Sequence, residues 1–327
     1  MTSSPLEIIA AQLDTDMEAV NATILSRLES SVPTIPEVAR HLIAAGGKRI
    51  RPLMTLATTA IYGGDMPRAH RLSAAVEFIH SATLLHDDVV DESDERRGKT
   101  TANLVYGNQT AVLVGDFLFA RSFQLMTEDK SIEILRILSN AAAIIAEGEV
   151  MQLALKGQMT MTMDNYIQII SAKTAALFAA ATEVAPVIAG AGAEHQHAMH
   201  EYGMNLGIAF QIADDALDYN GGAEKLGKAV GDDFREGKLT APILFALENA
   251  TGNERAFWQR TLANNQQTEG DLSTAQNILT RHNALHKATQ MAYIYGDKAK
   301  ACMKQAPDHP LKKQMVDLVD YTIKRNT

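Results

Sequence analysis

At 327 residues, with 46% hydrophobic but only 6% aromatic content, the chain can bury a large core and favours helix over strand. A formal net charge of −9 argues against general nucleic-acid binding, and a single cysteine, Cys302, excludes an internal disulfide and points to a reducing compartment. The first twenty residues carry acidic groups and no basic leader pattern, so neither a secretory signal nor an Arg-rich transit peptide is expected.

Residues 5–30 read as an amphipathic helix, broken by Pro33 and Pro36. The next helical stretch stops at Gly46-Gly47. GGKRIRP follows, setting Lys48, Arg49 and Arg51 beside a glycine pair. It lacks the GxxxxGK spacing of a P-loop. Cations at a helix start oppose the dipole, so a bound anion would relieve the conflict. Pro52 to Tyr62 reads as helix, and Pro67 to Asp91 as a longer apolar one carrying His80 and His86. A lone histidine there is usually a hydrogen-bonded core residue, which is the reading for His86. His80 lies about two turns before Asp87, near the same face.

That helix ends in LLHDDVVDESDERRGK. Asp87 and Asp91 share a face, with Cβ atoms about 5–6 Å apart, and Asp88 sits beside them. Mutual repulsion and the helix dipole both penalise the arrangement. A magnesium ion shared with substrate phosphates would reverse the penalty. Arg96 and Arg97, just beyond the turn, suit bidentate phosphate contacts. Alone, DDxxD is more often a solvated helix end, so the rest of the chain must decide.

Thr101 to Gly107 is a short segment, and Ala111 to Met126 an apolar helix able to pack along the one before it. Ser131 to Leu155 reads as helix, with Glu147, Glu149 and Gln152 placed to face either the site or solvent, solvent or an interface being favoured. Tyr166 to Ala181 is helical and holds Lys173-Thr174. No uninterrupted apolar run is long enough to span a bilayer; Phe178 to Gly192 comes nearest but carries Glu183 and Pro186. His195, His197 and His200 lack helical i, i+4 pairing and read as an exposed helix start rather than a metal site. After the apolar run Met204 to Ala213, a second DDxxD appears: Asp214, Asp215 and Asp218. Two copies of a strained arrangement are harder to dismiss than one. Gly221 to Lys238 is a glycine- and charge-rich loop, and the remainder returns to helix.

LLHDDVVDESDERRG and FQIADDALD, with GGKRIRP upstream and GKAVGDDFREGK downstream, resemble the trans-isoprenyl diphosphate synthase family over about Leu42 to Leu247. EFIHSATLLHDDVVDESDERRGKTTAN and AVLVGDFLFARSFQ are similar to the bacterial octaprenyl diphosphate synthases within it. The resemblance implies an all-α fold: one domain over residues 1–327, a bundle of antiparallel helices around a central cavity, usually a homodimer. It implies Mg2+ as cofactor, three ions with substrate bound, held by Asp87, Asp91 and Asp214 with Asp88, Asp215 and Asp218 supporting. Those six aspartates, Arg96 and Lys173 form the implied catalytic set. Lys48, Arg51, His80 and Arg97 would hold the diphosphate of isopentenyl diphosphate. Arg96, Lys173, Thr174, Gln211, Lys228 and Lys238 would serve the allylic diphosphate. Many relatives carry Gln at the His80 position; either side chain donates to a phosphate oxygen.

The implied reaction breaks an allylic carbon–oxygen bond, and the cation formed is attacked by the double bond of isopentenyl diphosphate. Mg2+ and cationic side chains stabilise the departing diphosphate. A dry apolar cavity keeps water from the cation. Ala82 and Thr83, beneath the first acidic motif, are small where short-chain relatives often carry aromatics. That leaves a tunnel open for a long product of the octaprenyl class, grown from farnesyl diphosphate and destined for quinone side chains. Phe123 or Met126 would form its floor. A shorter-chain synthase and a non-catalytic subunit of a heteromer are the alternatives, but the second tends to lose acidic residues that this chain keeps. Terpene cyclases commonly carry an Asn/Ser/Glu second motif, and a calcium-binding helical protein would show an EF-hand-like loop; neither pattern is present. A cytoplasmic enzyme without a transmembrane segment is expected, touching a membrane only transiently to release product.

Overall fold

The computed structural model describes residues 3–44, 46–96, 98–219 and 231–324. They are helical almost throughout, so the all-α expectation holds. The order begins α1 (Pro5–Gln12), α2 (Asp14–Arg27), α3 (Thr34–Ala44), α4 (Ile50–Ile61) and α5 (Met66–Val90). A short antiparallel pair, β1 (Glu95–Arg96) and β2 (Lys99–Thr100), matches Glu95 with Thr100 and Arg96 with Lys99. Then come α6 (Ala102–Tyr106), α7 (Asn108–Glu128), α8 (Ile132–Leu155), α9 (Met163–Ile170), a π-helical turn at Ser171–Ala175, α10 (Ala176–Ile188) and α11 (Ala193–Asp218). The last six are α12 (Asp232–Arg235), α13 (Ala241–Glu248), α14 (Gly252–Trp258), α15 (Asp271–Arg281), α16 (Ala284–Cys302) and α17 (Pro310–Lys324).

Three boundaries differ from the sequence reading. The first helix is split at Leu13, whose N–H closes α1 on the Ile9 carbonyl at 3.1 Å. No glycine or proline marks that break. Pro36 lies inside the first turn of α3 instead of ending a helix, a position where no intrahelical N–H is lost. Finally, α9, the π turn and α10 run on as one helix, Met163–Ile188, which by length and composition could cross a membrane, although most of its apolar stretch is buried here. This differs from the expectation that no apolar run is long enough to span a bilayer.

The described residues fall into two compact units. One is drawn from Met1–Ala142, Leu177–Gly203 and Cys302–Asp317; the other from Ala143–Ala176, Met204–Ala301 and Leu318–Thr327. In the first, α5 is the core element. Asp65 caps it, accepting from Arg68 N at 2.9 Å, and Pro67 fits its first turn. Residues 72–79 are buried at every position, so the helix shows no polar face there. It packs closely on α7 because residue 115 is glycine: a Cβ there would lie 2.2 Å from His86 Nε2. His86 also meets the Val112 carbonyl at 3.1 Å and stacks on Phe119, as expected of a hydrogen-bonded core histidine, though it is only half-buried. In the second unit, fully buried Trp258 packs with Phe234 and Phe257.

Candidate active site

Within the first unit, α5 delivers the first acidic motif. Asp91 is its C-cap, and Glu92, at φ 52°, turns the chain back toward the β1–β2 pair. That turn brings Arg96 onto Asp88: Nε and Nη2 both donate to Asp88 Oδ1, at 2.8 and 2.6 Å. Asp88 is 1% exposed, and among the described residues its Oδ2 has no hydrogen-bond partner. Asp87 and Asp91 stay partly exposed. Burial therefore sorts three identical side chains into one facing the protein and two facing outward.

The GGKRIRP segment lies beside the same helix. Gly46 (φ 81°) and Arg49 (φ 48°) are both left-handed, which bends the loop before α4. Arg49 does not join a cluster of outward cations; its Nη1 donates to Glu77, which is buried on α5. One turn later His80 Nε2 lies 3.3 Å from Arg51 Nη1, and the Arg51 guanidinium sits 4.4 Å above the Phe178 ring. Arg49, Glu77 and His80, together with Gly46, Ser81, Leu84, Leu42 and Ile43, line a depression of about 260 Å³ counted to its open mouth. Lys48 is exposed in the loop. Arg51 and His80 are thus brought together, whereas Arg97 lies outside the described residues. The sequence reading missed the Arg49–Glu77 pair, because partners 28 residues apart leave no local pattern. Below the motif, Ala82 is fully buried and Thr83 half-buried, its hydroxyl donating to the His80 carbonyl at 2.8 Å. On α7, Met126 is buried, but Phe123 is 40% exposed.

Within the second unit, Lys173 and Thr174 sit in the π turn, a device that recurs at functional sites. Lys173 Nζ pairs with Glu149 Oε2 at 2.7 Å and with Gln152 Oε1 at 3.0 Å. Glu149 and Gln152 hold Lys173, rather than taking the solvent or interface setting that the sequence favours over the site. Gly148 permits the approach, since a Cβ there would come within 2.6 Å of Ala172 Cβ. Thr174 Oγ1 donates to Gln211 Oε1 at 2.8 Å, joining two residues assigned to one substrate.

The second acidic motif ends α11. Asp214 is partly exposed, Asp215 and Asp218 are buried. Asp215 accepts from Tyr166 Oη at 2.6 Å and from Gln211 Nε2 at 2.7 Å. Burial outweighs these donors and pushes its carboxyl up to about 6, with Asp214 adding to the rise and Lys238 opposing it. Asp218 accepts from the backbone N–H groups of Asp232 and Asp233, both at 3.1 Å, and its own carbonyl accepts from Gly231 at 2.9 Å. Lys238 is ion-paired with Glu236. Lys228 lies outside the described residues.

The histidines of HQHAMH diverge. His195 meets Tyr62 Oη at 3.4 Å, and His200 meets Glu183 Oε2 at 2.8 Å, a carboxylate that raises its pKa. Only His197 is exposed, so the expected exposed helix start describes one of the three. Among the described residues, no group of three or more His, Cys, Asp or Glu is arranged to hold a metal by itself. Mg2+ keeps waters and shares its shell with phosphates, so carboxylates in ones and twos are its usual protein donors.

Residues 32–279 match the family model described as Polyprenyl synthetase. The chain belongs to the polyprenyl synthetase family. It is 42% identical to the octaprenyl diphosphate synthase of Escherichia coli (strain K12), over 95% of this chain and 96% of that one. The crystal structure of a decaprenyl diphosphate synthase from Rhodobacter capsulatus superposes with a TM-score of 0.95 at 50% identity, covering 98% of this chain and 99% of that one. A polyprenyl synthase from Caulobacter crescentus, complexed with calcium and isoprenyl diphosphate, gives 0.95 at 47% identity over 100% of both chains. Like other members of the polyprenyl synthetase family, this protein is a prenyltransferase that elongates an allylic diphosphate with isopentenyl diphosphate. The relatives' products differ in length, so kinship alone leaves the product size open.

Proposed function

We propose that this prenyltransferase makes a long product of the octaprenyl class from farnesyl diphosphate, for quinone side chains. The observation that carries the residue roles is the sorting of the aspartates. Asp87, Asp91 and Asp214 keep exposed carboxylate surface, whereas Asp88, Asp215 and Asp218 are turned onto Arg96, Tyr166 and Gln211, and backbone N–H groups. The exposed three suit Mg2+, and the buried three hold the ends of α5 and α11 in shape. Magnesium, when bound, takes up negative charge on the departing diphosphate. Asp88 Oδ2, buried without a hydrogen-bond partner among the described residues, fits a site completed by a cation.

Lys48, Arg51 and His80, with Arg97, bind isopentenyl diphosphate; Arg49 and Glu77 hold their loop to α5. Arg96, Lys173, Thr174, Gln211, Lys228 and Lys238 serve the allylic substrate. Arg96 leaves Asp88 to do so, exchanging one charge-assisted contact for another. The growing hydrocarbon runs back along α5 past Ala82 and Thr83, with Met126 nearer to a floor than Phe123, whose exposed ring would need a covering surface. Val112, Leu113 and Phe123 expose apolar surface on α7, as do Leu104 and Val105 on α6, which suits a homodimer of single-domain chains. The enzyme is cytoplasmic and meets a membrane when its product leaves.

Thr83→Phe is the test of length. Thr83 is half-buried, so a larger ring enters there at lower cost than at fully buried Ala82. Mass spectrometry of products made from farnesyl diphosphate should show shorter chains. An unchanged length distribution would mean that the tunnel does not follow α5.

A further inference from the structure

Thr174 is one end of a hydrogen-bond chain that reaches a tyrosine with no role assigned so far. Tyr166 is buried on α9. Its phenol proton goes to Asp215 Oδ2 at 2.6 Å. Asp215 Oδ1 accepts from Gln211 Nε2 at 2.7 Å. That contact decides which end of the Gln211 amide points at Asp215. The amide oxygen is left for Thr174, whose hydroxyl donates to it at 2.8 Å. Each direction follows from the one before. A carboxylate only accepts, so the amide must turn its NH2 group toward it and offer oxygen on the other side. Thr174 has one hydroxyl proton, and Gln211 takes it. What Thr174 can offer any third group is lone pairs.

Lys173, its neighbour in the π turn, is held separately by Glu149 and Gln152 of α8. One side chain of the turn is anchored to α8 and the next to α11.

We propose that Tyr166 is a positioning residue for prenyl transfer: through Asp215 and Gln211 it fixes the direction of the Thr174 hydroxyl, so that Thr174 meets bound substrate as an acceptor. This rests on the placing of Thr174 at the allylic substrate made above. Thr174 then reaches a diphosphate oxygen only by way of a donor, such as the Lys173 ammonium or a water, because two acceptors repel.

The test is a double-mutant cycle on the full-length enzyme: Tyr166→Phe, Thr174→Val and the pair, assayed with farnesyl diphosphate, isopentenyl diphosphate and Mg2+. Each single substitution should lower kcat about 10- to 100-fold, the usual range for supporting hydrogen bonds at such sites. The KM for isopentenyl diphosphate should stay within about two-fold, and the double variant should be little worse than the poorer single, since residues of one network do not act additively. Thr174→Ser, which keeps the hydroxyl, should recover most of kcat with Tyr166 present and nothing extra in the Tyr166→Phe background. As a control, Tyr202→Phe removes another buried phenol, which donates to the Met315 carbonyl at 2.8 Å; its effect should multiply with that of Thr174→Val. Wild-type kcat in Tyr166→Phe, or a double variant at the product of the two singles, overturns the proposal. Should Tyr166→Phe not fold, Gln211→Leu cuts the same chain and enters the same cycle under the same two criteria. Wild-type enzyme inactive on these substrates would strike the substrate assignment instead, so the two failures are told apart.

Discussion

The chain writes Asp-Asp-x-x-Asp twice, at the ends of α5 and α11, and builds the two copies differently. In each, the middle aspartate is sunk into the protein: Asp88 is 1% exposed and Asp215 4%. Asp88 meets a guanidinium, whereas Asp215 meets a phenol and an amide, both neutral. The third positions diverge as well. Asp91 is a half-exposed C-cap, while Asp218 is buried and clasps two backbone N–H groups. Arg96 holds the first copy, and on the substrate role proposed for it an arriving diphosphate can compete for that guanidinium. On the second copy, among the described residues, a phenol and an amide meet Asp215 and two backbone N–H groups meet Asp218. One motif thus yields an exchangeable latch and a fixed frame, and the difference lies in the partners rather than in the aspartates.

The outward carboxylates should matter most and should not distinguish the copies. Asp87→Asn and Asp214→Asn are each expected to lower kcat roughly 10²- to 10³-fold, as loss of one major charge-stabilising contact does. Steady-state turnover at saturating Mg2+ measures this. If only one of the two lost activity, the metal would belong to that motif alone.

The middle aspartates should separate the copies by stability. Asp88→Asn leaves Arg96 facing a buried amide and should cost about 1–3 kcal/mol in urea unfolding of metal-free protein. Asp215→Asn keeps an acceptor for Tyr166 and removes a charge that burial disfavours, so it should stay within about 1 kcal/mol of wild type. A greater loss at Asp215 than at Asp88 would reverse latch and frame.

The third positions give a smaller contrast. Asp218→Ala removes the acceptor of two N–H groups and should cost about 1–2 kcal/mol, whereas Asp91→Ala, at a half-exposed helix end, should be near neutral. Equal losses in urea unfolding would mean that Asp91 too is part of a frame.

Much of this is legible in the sequence. Glycine pairs and prolines punctuate α3, α4 and α5, and the apolar run of α5 announces a core helix. Both acidic motifs stand out because helical spacing crowds like charges, a local property. What stayed hidden is non-local. Glu149 and Gln152 look like a solvated helix tail until Lys173 is folded against them. Tyr166 is one tyrosine among eight, and only its position opposite Asp215 distinguishes it. The split at Leu13 was invisible because no breaker residue marks it. The π turn also went unread, for one extra residue in a helix leaves an apolar sequence looking the same.

The smallest expected effect concerns acid, and it sets the second motif against two carboxylates outside both acidic motifs. Glu254 closes the capping box of α14, and the Thr251 backbone N–H holds its carboxyl down to about 2 from 4.5; Arg260 holds Asp271 lower still than its ordinary 3.8. Both are more acidic folded than unfolded, so the stability they add is present above pH 4.5 and is lost as pH falls below it. Asp215 works in the opposite sense. Its folded value, about 6, lies above the 3.8 of an ordinary aspartate, so the folded chain binds more protons in that window and this contribution declines as pH rises through it. Glu254→Gln should therefore flatten thermal melts of EDTA-treated protein below pH 4.5 and lower Tm by about 2 °C at neutral pH, the scale of a lost cap. Asp215→Asn should leave that acid limb alone and alter the slope between pH 4 and 6. If Asp215→Asn flattened the acid limb instead, Asp215 would be stabilised as an ion by its neighbours, and the contrast between an exchangeable latch and a neutral frame would fail at its central residue.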